Sequence, residues 1–296
     1  MNATIGMPIS PIIGIPMAQI GKSNIGQQLL DNGKLNPQQA EKVLRLQKET
    51  GMRFGEAAIK LGFITEEDIQ DVLAQQFEYA YLVSGQSAVN ERLVAAYSPF
   101  DSRVEALRSL RSKILLSWVE SGNKSVALAS YDADTTSALL AANLAIVFSQ
   151  LGEHTLLVDA NLRNSMQHEL FALENRKGLS DILAGRSGLD AVQRISEFRD
   201  LSVLTAGTTV PNPQELLSRE SLSNTVTELA QAYDVVIYCT TALENAADAQ
   251  LVASRVKGTI LVASRNKTPV KGLESAKLQL QSANAILLGC VLSQEE

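Results

Sequence analysis

Hydrophobic and polar positions divide the chain into two unlike patterns. From about residue 98 onward, short apolar runs alternate with longer segments of helical period. The runs are Val126–Ser130, Thr155–Asp159, Leu201–Leu204, Val235–Cys239, Thr259–Ala263 and Ala285–Leu292, and Ser137–Leu151, Leu222–Ala232 and Val270–Ser282 read as helices between them. Because the runs lack a clean polar alternation, they predict strands buried on both faces by helices. The expected fold over 98–296 is therefore α/β, a doubly wound parallel sheet.

Nearer the start the pattern becomes a tandem repeat. Ile25-Gly26 returns as Phe54-Gly55, Gly33-Lys34-Leu35 as Gly62-Phe63-Ile64, Leu44 as Leu73 and Gln47 as Gln76, every pair 29 residues apart. Each copy predicts a short helix ended by a glycine (Gly33, Gly62) and then a longer capped helix. Asn36 and Thr65 take the N-cap positions, Pro37 the first helical position, and Asp68 stands three after Thr65. Residues 22–82 are thus expected to form a small all-helical repeat domain, and the weakly patterned, polar 83–97 a linker. Residues 1–21 carry no charged side chain, yet Pro8, Pro11 and Pro16 interrupt them. They predict an irregular leader, not a membrane span or a signal peptide.

Composition narrows the chemistry. In 296 residues, 26 Lys+Arg face 32 Asp+Glu for a formal charge of −6, without a dense basic block. No nucleic-acid partner is expected. Cys239 and Cys290 each stand alone in an apolar run and are expected to be buried, reduced strand residues, so neither a disulfide nor a metal site is predicted. His154 and His168 are isolated, and no Ser-His-Asp grouping or glycosidase-like carboxylate pair can be argued from spacing. In a doubly wound sheet, ligands sit beyond the C-terminal strand ends, which directs attention to the segment Ser130–Ala138 after the first strand.

Four stretches together resemble the bacterial tyrosine kinases (BY-kinases), the P-loop autokinases of polysaccharide chain-length determination and export. They are Val104-Glu105-Ala106-Leu107-Arg108-Ser109-Leu110-Arg111-Ser112, Leu140-Ala141-Ala142-Asn143-Leu144-Ala145, Leu156-Leu157-Val158-Asp159-Ala160-Asn161-Leu162-Arg163 and Pro211-Asn212-Pro213-Gln214-Glu215-Leu216-Leu217. The resemblance spans about 98–292 and implies a P-loop NTPase-like fold. It also implies that phosphate-loop glycines fall on Asp132, Asp134 and Thr136, the phosphate-binding lysine on Ser137 and the magnesium-binding hydroxyl on Ala138. Of the two acidic positions in the second motif Asp159 is retained and the other is Asn161, followed by Arg163. In the third motif Cys239 stands where the family has an acid. The tyrosine cluster that the family autophosphorylates is not found in the closing residues, Leu292-Ser293-Gln294-Glu295-Glu296.

These departures have a physical sign. A carboxylate about 4 Å from a phosphate oxygen repels it by ~4 kcal/mol at an effective dielectric near 20, roughly a thousandfold in affinity. Loss of the residues at 138 and 239 removes ligands for the Mg²⁺ on which phosphoryl transfer depends. The expectation is a catalytically degenerate regulatory or assembly protein of exopolysaccharide biosynthesis or export, with no resident cofactor. The alternative is an active tyrosine autokinase or ATPase using ATP and Mg²⁺. Glu105, Arg108 and Arg111, three apart on a helix, share one strip of surface. In BY-kinases an E-x-x-R-x-x-R strip there mediates subunit assembly. The resemblance therefore implies a homo-oligomer, or a hetero-oligomer with an active BY-kinase, and an inner-membrane polysaccharide co-polymerase as a candidate partner. A solvated face with intrahelical pairs is the plainer reading. The implied location is cytoplasmic, peripheral at the inner membrane through a partner.

The 29-residue repeat resembles the N-terminal domain of MshE-type pilus ATPases and type II secretion ATPases, whose tandem motifs bind cyclic di-GMP. The corresponding residues are Asn24, Gly26, Leu29, Leu30 and Gly33 in the first copy and Arg53, Gly55, Ala58, Ile59 and Gly62 in the second. Asn24 lacks the charge and planar donor fork that suit arginine to phosphates and guanine edges. Cyclic di-GMP is the candidate ligand, and a docking module with glycines for tight helix packing is the competing reading.

Overall fold

The computed structural model describes residues 25–66, 68, 69, 72, 81–244 and 246–294. The leader 1–21, Asn24, Leu73 and Gln76 lie outside the described residues. Two compact units are present, the first ending at Tyr79 and the second beginning at Ala80.

The first unit contains α1 (Ile25–Asp31), α2 (Pro37–Thr50) and α3 (Phe54–Lys60). Asn36 and Gln39 close a reciprocal capping box at 2.8 and 2.9 Å, with Pro37 in the first turn of α2. Gly33, Gly51 and Gly62 adopt φ near +70°, which lets the chain reverse after each helix. Thr65 and Asp68 make the second copy's cap. Leu29, Leu35, Val43, Ala57, Ala58, Ile64 and Val72 form the core.

In the second unit, β1 (Ser125–Ser130), β2 (Thr155–Asp159), β3 (Gln193–Arg194), β4 (Leu201–Leu204), β5 (Val235–Cys239), β6 (Gly258–Ser264) and β7 (Ile286–Ser293) form one sheet. Its order is β3-β4-β2-β5-β1-β6-β7, parallel except for the short β3. Along β1 side chains alternate in period two: Val126 and Leu128 enter one core, Ala127 and Ala129 the cores of the opposite face. The first face is covered by α4 (Val94–Tyr97), α5 (Ser102–Ile114) and α6 (Thr136–Ser149). All fourteen residues of α6 are buried, as an all-round apolar helix requires. α7 (Gln167–Leu170) caps the end of this layer. The opposite face carries α8 (Leu179–Leu183), α9 (Pro213–Leu217), α10 (Glu220–Ala232), α11 (Asp248–Val256) and α12 (Val270–Ser282). This is the doubly wound arrangement that the pattern predicts, and it agrees with the P-loop NTPase-like fold that the resemblance implies.

Two readings are corrected. The stretch 83–97, expected as a linker, is packed into the second unit: Leu93, Ala95 and Ala96 are fully buried, and Ala95 N donates to Asn143 Oδ1 of α6 at 2.8 Å. Its polar residues are spent on turns, with Asn90 and Ser87 bonding their own neighbours, so its sequence looks like a connection. β7 is not buried on both faces, because it is the outer strand of the sheet, and Cys290 is exposed.

Candidate functional site

β2, β5, β1 and β6 are consecutive neighbours, and their C-terminal ends place four loops side by side. The segment Tyr131–Thr135 joins β1 to α6, while Arg265–Pro269 joins β6 to α12. These two segments are stitched together by side chains. Asp134 Oδ2 accepts the Ser264 hydroxyl at 2.8 Å and Lys267 Nζ at 3.1 Å, while its Oδ1 accepts the Thr136 N–H at 3.0 Å. Asp132 accepts the Thr268 hydroxyl, and Thr268 Oγ1 in turn accepts the Ser264 N–H at 2.8 Å. Thr136 Oγ1 lies 3.0 Å from Ser264 Oγ. Burial penalises the Asp134 charge, yet Ser264, the Thr136 N–H and Lys267 together hold its carboxyl below the usual range. It is ionised at neutral pH.

The rest of the loop is fixed as closely. Tyr131 packs against α12, where a Cβ added at Gly272 would fall 2.6 Å from its ring. Ser130 Oγ donates to the Asp132 carbonyl at 2.9 Å and pairs with Ser137 Oγ at 3.3 Å. Ser137 and Ala138 are buried in the first turn of α6. Arg92 donates to Thr135 Oγ1 at 3.0 Å.

Asp159 ends β2 directly opposite Cys239 in the sheet register. Both are buried, and the Asp159 oxygens accept three backbone N–H groups: Asn161 at 3.2 Å, Met166 at 3.0 Å and Gln167 at 3.0 Å. Desolvation outweighs these donors and pushes the carboxyl up to about 6. Burial, with Asp159 beside it, also pushes the Cys239 thiol well up, so it is a neutral S–H. Asn161 is turned to the loop after β5, where its Oδ1 accepts the Thr241 hydroxyl at 3.1 Å. Arg163 makes a bidentate pair with Asp248 of α11, at 2.8 and 3.2 Å, and Asp248 is fully buried. The buried Gln167 amide donates to the Ala138 carbonyl at 3.1 Å.

The structure thus gathers the residues singled out on the second unit, Asp132, Asp134, Thr136, Ser137, Ala138, Asp159, Asn161, Arg163 and Cys239, at the C-terminal ends of the central strands β1, β2 and β5. Sequence reasoning missed Ser264, Lys267, Thr268, Asp248 and Gln167, which complete their contacts. The strip on α5 is divided. Glu105 is exposed and pairs with Arg108 at 3.4 Å, whereas Arg111 turns inward to donate to the Val147 carbonyl at 2.6 Å.

In the first unit the candidate glycines are packing points. A Cβ at Gly26 would come within 3.3 Å of the Phe54 ring, and one at Gly55 within 2.5 Å of Ile69 Cδ1. Leu29 and Ala58 are fully buried, Leu30 and Ile59 partly so, and Arg53 is exposed. Lys34 crosses between the copies to Asp68 at 2.6 Å.

No family model matches the chain. The tyrosine-protein kinase YwqD of Bacillus subtilis (strain 168) is 35% identical over 207 residues, 70% of this chain and 87% of that protein. A Klebsiella pneumoniae relative, named as a tyrosine-protein kinase in the cps region, is 30% identical over 201 residues, 68% of this chain and 28% of that protein. Among solved structures, the kinase domain of the Escherichia coli tyrosine kinase ETK superposes with a TM-score of 0.66 at 30% identity, covering 68% of this chain and 79% of that one. By this extent of identity and coverage, the chain belongs to the family of bacterial tyrosine-protein kinases.

Proposed function

We propose that this chain is a catalytically degenerate member of its family, acting by binding and assembly in exopolysaccharide or capsule export. The observation that carries this reading is that the polar groups of the nucleotide edge are already committed to one another. The residues present do not fit Mg-ATP. Ser137 and Ala138 supply neither the ammonium nor the hydroxyl of the family loop, Cys239 is a neutral thiol, and the Asp159 oxygens are taken by backbone donors. Asp132 and Asp134 present negative charge where a triphosphate would need positive charge. The polysaccharide role rests on the resemblance and on the relative from a cps region.

Assembly, as a homo-oligomer or with an active relative, and attachment to an inner-membrane partner belong to the same proposal. Glu105 is the exposed charge of the strip that such contacts would use. The purified protein is expected to give no heat with Mg-ATP and no ATP-dependent phosphotyrosine, while sedimenting as an assembly. Phosphotyrosine formed by the protein alone would overturn the reading in favour of an active autokinase.

For the first unit we propose a docking module. The packing of Gly26 against Phe54 and of Gly55 against Ile69 supports this, since both glycines are explained by helix contact. Cyclic di-GMP binding is the other outcome of its test. In a calorimetric titration at physiological salt the full chain is expected to give no heat with cyclic di-GMP. Low-micromolar binding that Arg53→Ala abolishes would make the unit a second-messenger receptor instead.

A further inference from the structure

We infer that Asp134 and Lys267 form an autoinhibitory latch, in which a carboxylate of the phosphate loop takes the place of a ligand oxyanion and Lys267 is the cation that binds it. The inference rests on the proposed loss of nucleotide binding and names its immediate cause. A phosphate-binding loop works by pointing helix N-terminal N–H groups and one ammonium at an anion. Here both kinds of donor are present and both are spent on one side chain. The Thr136 N–H, at the start of α6, reaches Asp134 Oδ1, and Lys267 Nζ, from the loop after β6, reaches Asp134 Oδ2. Ser264 adds a hydroxyl to the same oxygen.

The lysine expected at position 137 has therefore been replaced in charge, though not in chain position, by a lysine 130 residues later. The latch has its own support. Thr268 holds Asp132, Tyr131 is seated on Gly272, and both anchors lie on the segment that carries Lys267 or just beyond it. The loop after β1 and the loop after β6 are thus closed on each other, and an incoming phosphate would compete with a bound carboxylate for the Thr136 N–H, the Ser264 hydroxyl and the Lys267 ammonium. Removal of that one negative charge should leave a cation, a hydroxyl and a helix N–H facing the loop.

The test is titration of inorganic pyrophosphate, and separately Mg-ATP, into the full chain and three variants. Asp134→Asn keeps the side-chain volume and removes the charge. It is expected to bind pyrophosphate at least about tenfold more tightly than the unaltered protein, within the gain that one removed like charge allows. Adding Lys267→Met to it should abolish the gain. A folded Asp134→Asn protein that gains nothing, or a gain that survives loss of Lys267, overturns the latch. Should Asp134→Asn not fold, Lys267→Met alone decides, because Lys267 is 60% exposed and its replacement leaves the core untouched. A latched lysine predicts a melting temperature about 1–3 °C lower than that of Lys271→Met on the same loop-helix segment, and equal values overturn the proposal. Mg-ATP binding by the unaltered protein would instead overturn the proposed loss of nucleotide binding, so the two failures are distinct.

Discussion

Asp159→Ala is expected to destabilise the second unit by about 4 kcal/mol at neutral pH, read as a shift in urea midpoint. The carboxylate is the shared acceptor for the N–H groups of Asn161, Met166 and Gln167, and it closes the turn between β2 and α7. A methyl side chain leaves three donors without a partner, the Gln167 N–H buried and those of Asn161 and Met166 part-buried, and a buried donor left unpaired costs about 1–3 kcal/mol. Part of that cost is returned, because the native state no longer buries a charge. The same balance predicts a pH signature. The carboxyl stands near 6 in the folded chain and near 3.8 when unfolded, so its protonation favours the native state. That contribution is complete below the unfolded value and is lost as pH rises through 6. At pH 5, about one unit below the folded value, the unaltered protein should gain ~1.4 kcal/mol over Asp159→Ala relative to pH 7.5. A cost under about 1 kcal/mol, or a gap that narrows on acidification, would count against Asp159 as a buried structural acceptor.

How much of this was legible in the sequence depends on how far apart the interacting residues lie. β2, β4 and β5 begin and end where the apolar runs do, because strands buried on both faces leave a continuous signal. The two copies of the helical repeat were equally readable from their caps, since a capping box is complete within four residues. The loop after β1 could be marked as the site from topology alone, and its two aspartates as a repulsive replacement. Their partners could not be found in the same way. Ser264, Lys267 and Thr268 form an ordinary polar strand-to-helix connection, and only the order β5-β1-β6 brings them beside Asp132 and Asp134. Asp248 had no signal either, as an acid in the first turn of a helix is common and its pairing with Arg163 spans 85 residues. Cys290 was misjudged for a related reason. Strand order decides whether an apolar strand is central or outermost, and the residues of β7 do not reveal it.

The second large effect is expected at Gly178, which stands just before α8 in extended backbone that any residue can adopt. Its importance is one of space. A Cβ there would collide with the Thr205 carbonyl oxygen and the Gly207 nitrogen, both on the segment that leaves β4. Neither can retreat freely. Leu179 N donates to Thr205 O at 2.8 Å and Ser180 N to Ala206 O at 2.9 Å, while Gly207 N is held by Asn175 Oδ1 at 2.8 Å. Asp181 ties the crossing together, accepting the Gly178 and Thr208 N–H groups at 3.1 and 2.9 Å. Room for a methyl group must come from breaking several of these bonds, each worth about 1 kcal/mol and more where a buried donor is orphaned, on top of about 1–3 kcal/mol of overpacking. Gly178→Ala should therefore cost about 4 kcal/mol, or on the order of 10 °C in melting temperature. Gly185, at the far end of α8, supplies the contrast. Its φ is +71° and nothing lies within 4 Å of an added Cβ, so Gly185→Ala should cost only the backbone strain of about 1 kcal/mol. If the two variants melted together, or in the reverse order, close approach at the β4 crossing would not be what holds the segment after β4 against the start of α8.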